Sequence, residues 1–306
     1  MVQAGEPESS QASALEPPMK PGPAARLRAL LAENRLLAMP CCFDALSARL
    51  IEAAGFGVTF MSGFAVAAAR RGLPDTGLMC YAEALDQGRS ICQAVRNPVI
   101  GDADTGYGNA INVKRTVQGY AAAGFAGVMI EDQVWPKRCG HTLGKAVVER
   151  AEAVARIQAA VDARNEGQDI LIVARTDARG THGLGEAIAR AEAFAAAGAD
   201  ILFIEAPASV DEMATLCRAV PGRHLANMLE GGRTPILPPE RLQELGFALA
   251  AYPLTLLSAA VRAMQDALAE LGHGRDPSAR LMPFDELRRL VGFQAYEEEE
   301  KRYRQG

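Results

Sequence analysis

No run of apolar residues in the chain approaches the roughly eighteen that a membrane span requires. No membrane partner is therefore expected. Strings of Lys and Arg are equally scarce: none is longer than two, and 32 basic residues face 37 acidic ones for a formal net charge of -5. A phosphate backbone needs a basic surface to neutralise it, so no nucleic-acid partner is expected either. The six cysteines, Cys41, Cys42, Cys80, Cys92, Cys139 and Cys217, form neither a C-x-x-C metal pair nor a disulfide framework in a chain of 306 residues. That usage indicates a reducing, cytoplasmic setting. His182, His224 and His273 stand at no ligand-like spacing. Residues 1–23, rich in Pro, Ser, Ala and Glu, contain no Arg and no apolar stretch, and read as a disordered tail rather than a targeting segment.

An echo recurs along the rest of the chain: IEAAGFGVTFMSG around Gly55, AAAGFAGVMIED around Gly124, AAAGADILFIEA around Gly198 and LQELGFALAAYP around Gly246. Each is a helix end, a glycine suited to the left-handed residue that closes a helix, and a short apolar run suited to a strand buried on both faces. Eight such strands are expected: Leu36 to Met39, Val58 to Met61, Val99 to Gly101, Val128 to Ile130, Ile170 to Ala174, Ile201 to Ile204, His224 to Ala226 and Ala248 to Ala251. Helical segments intervene. One carries Val113, Val117 and Tyr120 on one face, with Asn109 placed to cap it and Gly124 to end it. Eight strands alternating with helices predict an α/β fold, a (β/α)8 barrel over residues 24–271. A doubly wound sheet is the weaker alternative, because Gly106-Tyr107-Gly108 lacks the third glycine of a dinucleotide-binding turn. Residues 272–306 read as a helical extension whose apolar residues, Phe284, Leu287, Val291, Phe293 and Tyr296, need a cover outside the barrel, for which a partner subunit is expected.

A barrel makes a demand, since its reacting residues belong just past the carboxyl ends of the strands. Polar residues stand at six such ends: Ser62 and Gly63, Asp102 and Asp104, Glu131, Arg175, Glu205, and Asn227. Asp102, Asp104 and Glu131 are hard oxygen donors suited to Mg2+, or Mn2+, with one direct contact and two through water; the alternative is that they cap helices or pair with Lys114 and Arg115. Cys139, beside Lys137, Arg138 and His141, reads either as a tuned acidic thiol or as a structural cysteine in a basic loop. Arg175 reads equally as a fork for a substrate carboxylate or as an ion-pair partner of Asp177 or Glu205. Cys41 and Cys42 follow the first strand and read as small buried thiols. Trp135 in the D-Q-V-W-P stretch is expected to pack that loop down.

Three strings in order, GDADTGYGNA, EDQVWPKRCGH and NMLEGGRTPIL, resemble the isocitrate lyase and phosphoenolpyruvate mutase superfamily from about Leu27 to Tyr303, most closely its petal death protein and 2,3-dimethylmalate lyase group. The K-[KR]-C-G-H string carried by the lyases matches Lys137 to His141. The resemblance implies a TIM-type barrel whose C-terminal helices are exchanged between subunits of a homotetramer. It implies Mg2+ near Asp102, with Asp104 and Glu131 close by. Carried over residue by residue, it implies a substrate carboxylate held at Ser62, Gly63 and Phe64. It further implies a pocket lined by Asp75, Arg175, Glu205 and Asn227, and a loop at Lys137, Cys139, Gly140 and His141 that covers them. Phe64, where methylisocitrate lyases have a small residue, and Thr142, where they have arginine, argue against a tricarboxylate substrate. The reaction implied is carbon-carbon cleavage of a 2-alkylmalate-type 2-hydroxy dicarboxylate, with Cys139 as the acid and Glu131 as a candidate base. Phe64, Trp135 and residues 253–257 would shape the alkyl pocket. Oxaloacetate hydrolysis to oxalate and acetate is the alternative, ahead of methylisocitrate cleavage, carboxyvinyl-carboxyphosphonate phosphorylmutase activity and an inactive scaffold.

Overall fold

A computed structural model describes residues 21–140 and 144–304. Eight strands form the sheet: β1 (Leu37–Cys42), β2 (Thr59–Met61), β3 (Val99–Asp102), β4 (Gly127–Glu131), β5 (Leu171–Thr176), β6 (Ile201–Ile204), β7 (His224–Asn227) and β8 (Phe247–Tyr252). Each pairs in parallel with the next, and β8 pairs with β1, so the sheet closes into a barrel in sequence order. Every expected strand is present, and the ends move because several strands run on into polar residues. Asp102, Glu131, Arg175 and Asn227 therefore belong to the strands instead of following them. The same shift corrects Cys41 and Cys42, which lie inside β1, both buried.

The connecting helices follow the local signals. Asn109 Oδ1 accepts from the backbone N–H groups of Ile111 at 3.0 Å and Asn112 at 3.2 Å, opening the helix Ala110–Ala123. Gly124 closes it with φ 98°, a left-handed angle that costs glycine no Cβ clash. Val113, Val117 and Tyr120 form its buried face.

Alternation along the strands sorts the core into two layers. Val128, Ile130, Ile172, Ala174, Leu202 and Ile204 point outward and pack under the helices. Leu37, Met39, Cys41, Ile100, Met129, Leu171, Val173, Phe203, Leu225 and Leu249 point inward and fill the lumen. The helix Pro23–Ala32, to which the sequence reading gave no role, adds Ala24, Leu27 and Leu31 to this inner cluster. Arg28 of the same helix pairs with Asp169 at 2.6 Å, just ahead of β5, which places the helix as a plug across the amino-terminal end of the barrel.

Past β8 come the helices Thr255–Gly272, Phe284–Val291 and Phe293–Lys301. Their apolar residues are uncovered: Phe284 is 74% exposed, Tyr296 67% and Leu268 66%. Among the described residues no helix is long and apolar enough to cross a membrane. Of the expected N-terminal tail, residues 1–20 lie outside the described residues.

Candidate active site

The inward positions change character one step from the carboxyl end of the barrel. Phe60 is followed two residues on by Ser62, Ile100 by Asp102, Met129 by Glu131, Val173 by Arg175, Phe203 by Glu205 and Leu225 by Asn227. Because strand side chains alternate, each polar residue sits on the lumen side directly above its apolar predecessor. Except for Ile100 and Val173, all of these residues line one cavity. Phe64, Asp75, Lys137, Arg138, Cys139 and Gly140 complete its polar and loop walls, and Leu229, Ala251, Pro253 and Leu254 its apolar one. Trp135 is not in the lining. It packs its ring edge-on to Tyr107 at 6.3 Å, holding the loop down as expected. Pro253 and Leu254 fall in the stretch 253–257 expected to shape the alkyl pocket, whereas Leu229 was not anticipated, since it neither lies in a strand nor carries a polar group.

Arg175 is the electrostatic centre of one wall. Its Nε lies 2.9 Å from Asp177 Oδ2 and 3.3 Å from Glu131 Oε2, and its second terminal nitrogen lies 3.0 Å from Glu205 Oε2. The guanidinium also stands 5.1 Å over the Phe203 ring. The ion-pair reading of Arg175 thus holds for Asp177 and Glu205 together, with Glu131 as a third partner. Asn227 Nδ2 donates to both Glu205 oxygens, at 3.3 and 3.2 Å. Burial pushes the Glu131 carboxyl well above the usual carboxylate range, and the neighbouring Arg175 offsets only part of that. Burial would raise Asp177 too, but Arg175 and Lys145 outweigh it and bring the carboxyl down to about 2.

The opposite wall holds the other acids. Asp102 accepts from the backbone N–H of Gly63 at 3.2 Å and of Asp104 at 3.0 Å. A Cβ at position 63 would come to 2.6 Å from Asp102 Oδ2, so only glycine allows this approach. Asp104 takes a left-handed backbone, φ 50°, and turns to Lys137, whose Nζ lies 2.8 Å away and also pairs with Asp75. Burial lifts the Asp104 carboxyl to about 6 despite Lys137. Lys114 and Arg115 are not the partners of these acids: Lys114 pairs with Glu166 at 2.5 Å, and Arg115 stacks on Tyr81 at 4.8 Å.

Among the described residues no three His, Cys, Asp or Glu side chains form a ready-made cation cage. The expected trio is split because Asp104 faces Lys137 and Glu131 faces Arg175. The donor set still fits a hydrated divalent ion: Asp102 lines the cavity, and Glu131 Oε1 is a buried carboxylate oxygen with no hydrogen-bond partner. Ser62 and Gly63 contribute less freely than expected to a carboxylate site. The Ser62 N–H donates to Cys42 O at 3.1 Å, and Ser62 Oγ caps the helix Gly63–Arg71 through Ala65 N at 3.3 Å. Gly63 and Asp104 sit behind the main cavity, in a smaller one shared with Asp75, Asp102 and Tyr107. His141 lies outside the described residues.

Comparison with known proteins accords with this geometry. A model of the phosphoenolpyruvate phosphomutase family matches residues 27–272, the whole barrel. The chain belongs to that family. Within the wider isocitrate lyase and phosphoenolpyruvate mutase superfamily it is an enzyme of the carbon-carbon lyase and mutase type. It is 42% identical over 287 residues to 2,3-dimethylmalate lyase of Eubacterium barkeri, covering 92% of this chain and 99% of that one. It is 43% identical over 279 residues to the petal death protein of Dianthus caryophyllus, covering 90% and 87%. The structure of an oxaloacetate acetylhydrolase bound to 3,3-difluorooxalacetate superposes with a TM-score of 0.87 at 34% identity, covering 92% of this phosphomutase-family chain and 96% of that one.

Proposed function

We propose that this chain is a Mg2+-dependent lyase that cleaves a 2-alkylmalate-type 2-hydroxy dicarboxylate into a 2-oxo acid and a carboxylate. The observation that carries the reading is the presence of Cys139 in the same cavity as Asp102, Glu131 and Arg175, against an apolar wall of Phe64, Leu229 and Leu254. The similarity to 2,3-dimethylmalate lyase supports the same substrate class.

Asp102 would hold the ion directly, with Asp104 and Glu131 reaching it through water. When bound, Mg2+ supplies Lewis-acid polarisation of the substrate's 2-oxygen and adjoining carboxylate. Glu131, with its raised affinity for a proton and its open Oε1, takes the proton of the 2-hydroxyl. The C2–C3 bond then breaks: C2 keeps a carbonyl as the 2-oxo acid, and the bonding electrons leave with C3 as the enolate of the second product. Arg175 and Ser62 bind the departing carboxylate and stabilise its growing charge. The Cys139 thiol donates its proton to C3, giving the carboxylate; after release Glu131 gives up the proton it took and the thiolate is reprotonated, so both groups return to their starting states. Gly140, Lys137 and Asp75 keep the loop seated so that water does not reach the enolate first. Asn227 and Glu205 orient Arg175, and Phe64 with Leu229 and Leu254 receives the alkyl group.

The uncovered helices after β8 fit a homotetramer in which residues 272–306 pack on a neighbouring subunit, and the cysteine usage fits a cytoplasmic enzyme. A second reading, hydrolysis of oxaloacetate to oxalate and acetate, draws support from the similarity to oxaloacetate acetylhydrolase. One panel separates the two. Release of 2-oxo acid is followed from malate, 2-methylmalate, 2,3-dimethylmalate and 2-methylisocitrate, beside oxalate release from oxaloacetate, with Mg2+ or excess EDTA and with Cys139→Ala. Pyruvate from dimethylmalate, lost in both controls, is the expected result. Oxalate release with a silent alkylmalate panel would replace the lyase by the hydrolase.

A further inference from the structure

The Lys137 to His141 string ends before a second lysine with a buried side chain that no motif marks. Lys145 Nζ donates to the Gly140 carbonyl at 2.6 Å and to Asp177 Oδ1 at 2.7 Å. Its side chain is 4% exposed, and that of Asp177 is 0% exposed. Asp177 is also what holds Arg175, receiving Nε at 2.9 Å and a terminal nitrogen at 3.2 Å. One carboxylate therefore fixes a strand guanidinium and, through Lys145, the backbone of the loop that carries Cys139.

The fit at that junction has no slack. A Cβ at position 140 would come to 2.4 Å from the Arg175 terminal nitrogen and 2.7 Å from Glu205 Cγ. Asp177 is anchored from behind, since its N–H donates to Asp132 Oδ1 at 2.9 Å while Asp132 Oδ2 accepts from Thr176 Oγ1 at 2.6 Å and Arg190 at 3.0 Å. Next to Lys145 the chain is held by a backbone hydrogen bond from Val134 N to Ala146 O at 2.9 Å. A lysine needed only to neutralise Asp177 could approach it from any side. This one spends its second donor on the carbonyl next to Cys139.

We infer that Lys145 is a positioning residue: by bridging Asp177 and the Gly140 carbonyl it seats Cys139 against the wall formed by Arg175. The inference rests on the reading of Cys139 and Arg175 as reacting groups, so its test uses a signal that needs no substrate. Full-length protein is treated with iodoacetamide, and alkylation of each cysteine is timed by peptide mass spectrometry. Cys92 and Cys217, half-buried elsewhere in the barrel, report general loosening.

Lys145→Met removes the bridge. Gly180→Ala leaves Lys145 in place but crowds it, because a Cβ there would lie 2.9 Å from Lys145 Cε and 3.3 Å from Nζ. Alanine itself suits the helix Ala178–His182. Both variants should raise Cys139 alkylation, Lys145→Met by about tenfold, the effect of losing one charge-assisted hydrogen bond. Cys92 and Cys217 should keep their wild-type rates, and Lys145→Arg should recover most of the protection. Wild-type alkylation of Cys139 in folded Lys145→Met, or a parallel rise at all three cysteines, overturns the inference. Should Lys145→Met fail to fold, Gly180→Ala decides by the same criterion. Loss of 2-oxo acid release from every panel substrate, with the Cys139 signal intact, would count against the lyase reading alone.

Discussion

The two ends of the barrel lumen are built from the same strands and the same inward register, yet they do opposite work. At the amino-terminal end the inward positions are Leu37, Met39, Val58, Leu171 and Leu249, closed by Leu27 and Leu31 of the plugging helix. At the carboxyl end they are Asp102, Glu131, Arg175 and Glu205, with Asp177 beside them; all but Asp102 are less than a tenth exposed. Apolar burial at the amino-terminal end stabilises the fold at roughly 25 cal/mol per Å² removed from water. Burial of ions costs free energy unless each finds a partner, so the upper end is stable only as a network. The difference teaches that a strand of three to six residues serves both ends by changing chemistry at a single inward step.

The sharpest way to break this contrast is at Arg175, which faces Glu131, Asp177 and Glu205 at once. Arg175→Met should cost about 3–5 kcal/mol by urea unfolding, because three buried carboxylates lose their shared cation. It should also lower 2-oxo acid release about a thousandfold, as removal of an oxyanion donor does. Wild-type stability in this variant would mean that the carboxylates are carried neutral.

The complementary change is Leu27→Ala at the plug. It should cost about 2–5 kcal/mol, the loss expected when a fully buried leucine leaves a cavity. At temperatures where the variant stays folded, kcat should match wild type. A fall in kcat would show that the two ends are coupled through the lumen, and the division of labour would fail.

How far these ends were legible in sequence follows from the same contrast. The strands could be read because burial on both faces leaves short apolar runs, and the helix ends because Gly124 and Gly246 need a left-handed angle. Asp102, Glu131, Arg175, Glu205 and Asn227 could be read because a polar residue one inward step above an apolar one has little structural excuse. The partners could not be read. Lys145 meets Asp177 across 32 residues and Arg190 meets Asp132 across 58, with no local spacing to betray either. The split of the expected metal trio was hidden for the same reason, since Lys137 and Arg175 reach Asp104 and Glu131 from other elements. The plug escaped because Ala24, Leu27 and Leu31 make one short amphipathic stretch, indistinguishable in sequence from an outer helix.

The smallest effect expected is a pH dependence confined to the upper end. Asp177 is held at about 2 in the folded chain, below the 3.8 of an unperturbed carboxyl, because Arg175 and Lys145 overcome the effect of its burial. A carboxyl depressed in this way adds stability that is complete above about pH 4 and is lost as pH falls toward about 2, since the unfolded chain takes up the proton first. The contribution is about 2 kcal/mol. Asp177→Asn cannot lose what it lacks. The gap in urea unfolding free energy between wild type and Asp177→Asn should therefore narrow by about that amount between about pH 4 and pH 2. Leu27→Ala, whose defect lies at the uncharged end, should stay parallel to wild type across the same window. Parallel curves for Asp177→Asn as well would mean that Arg175 and Lys145 do not act on Asp177 as a charged pair.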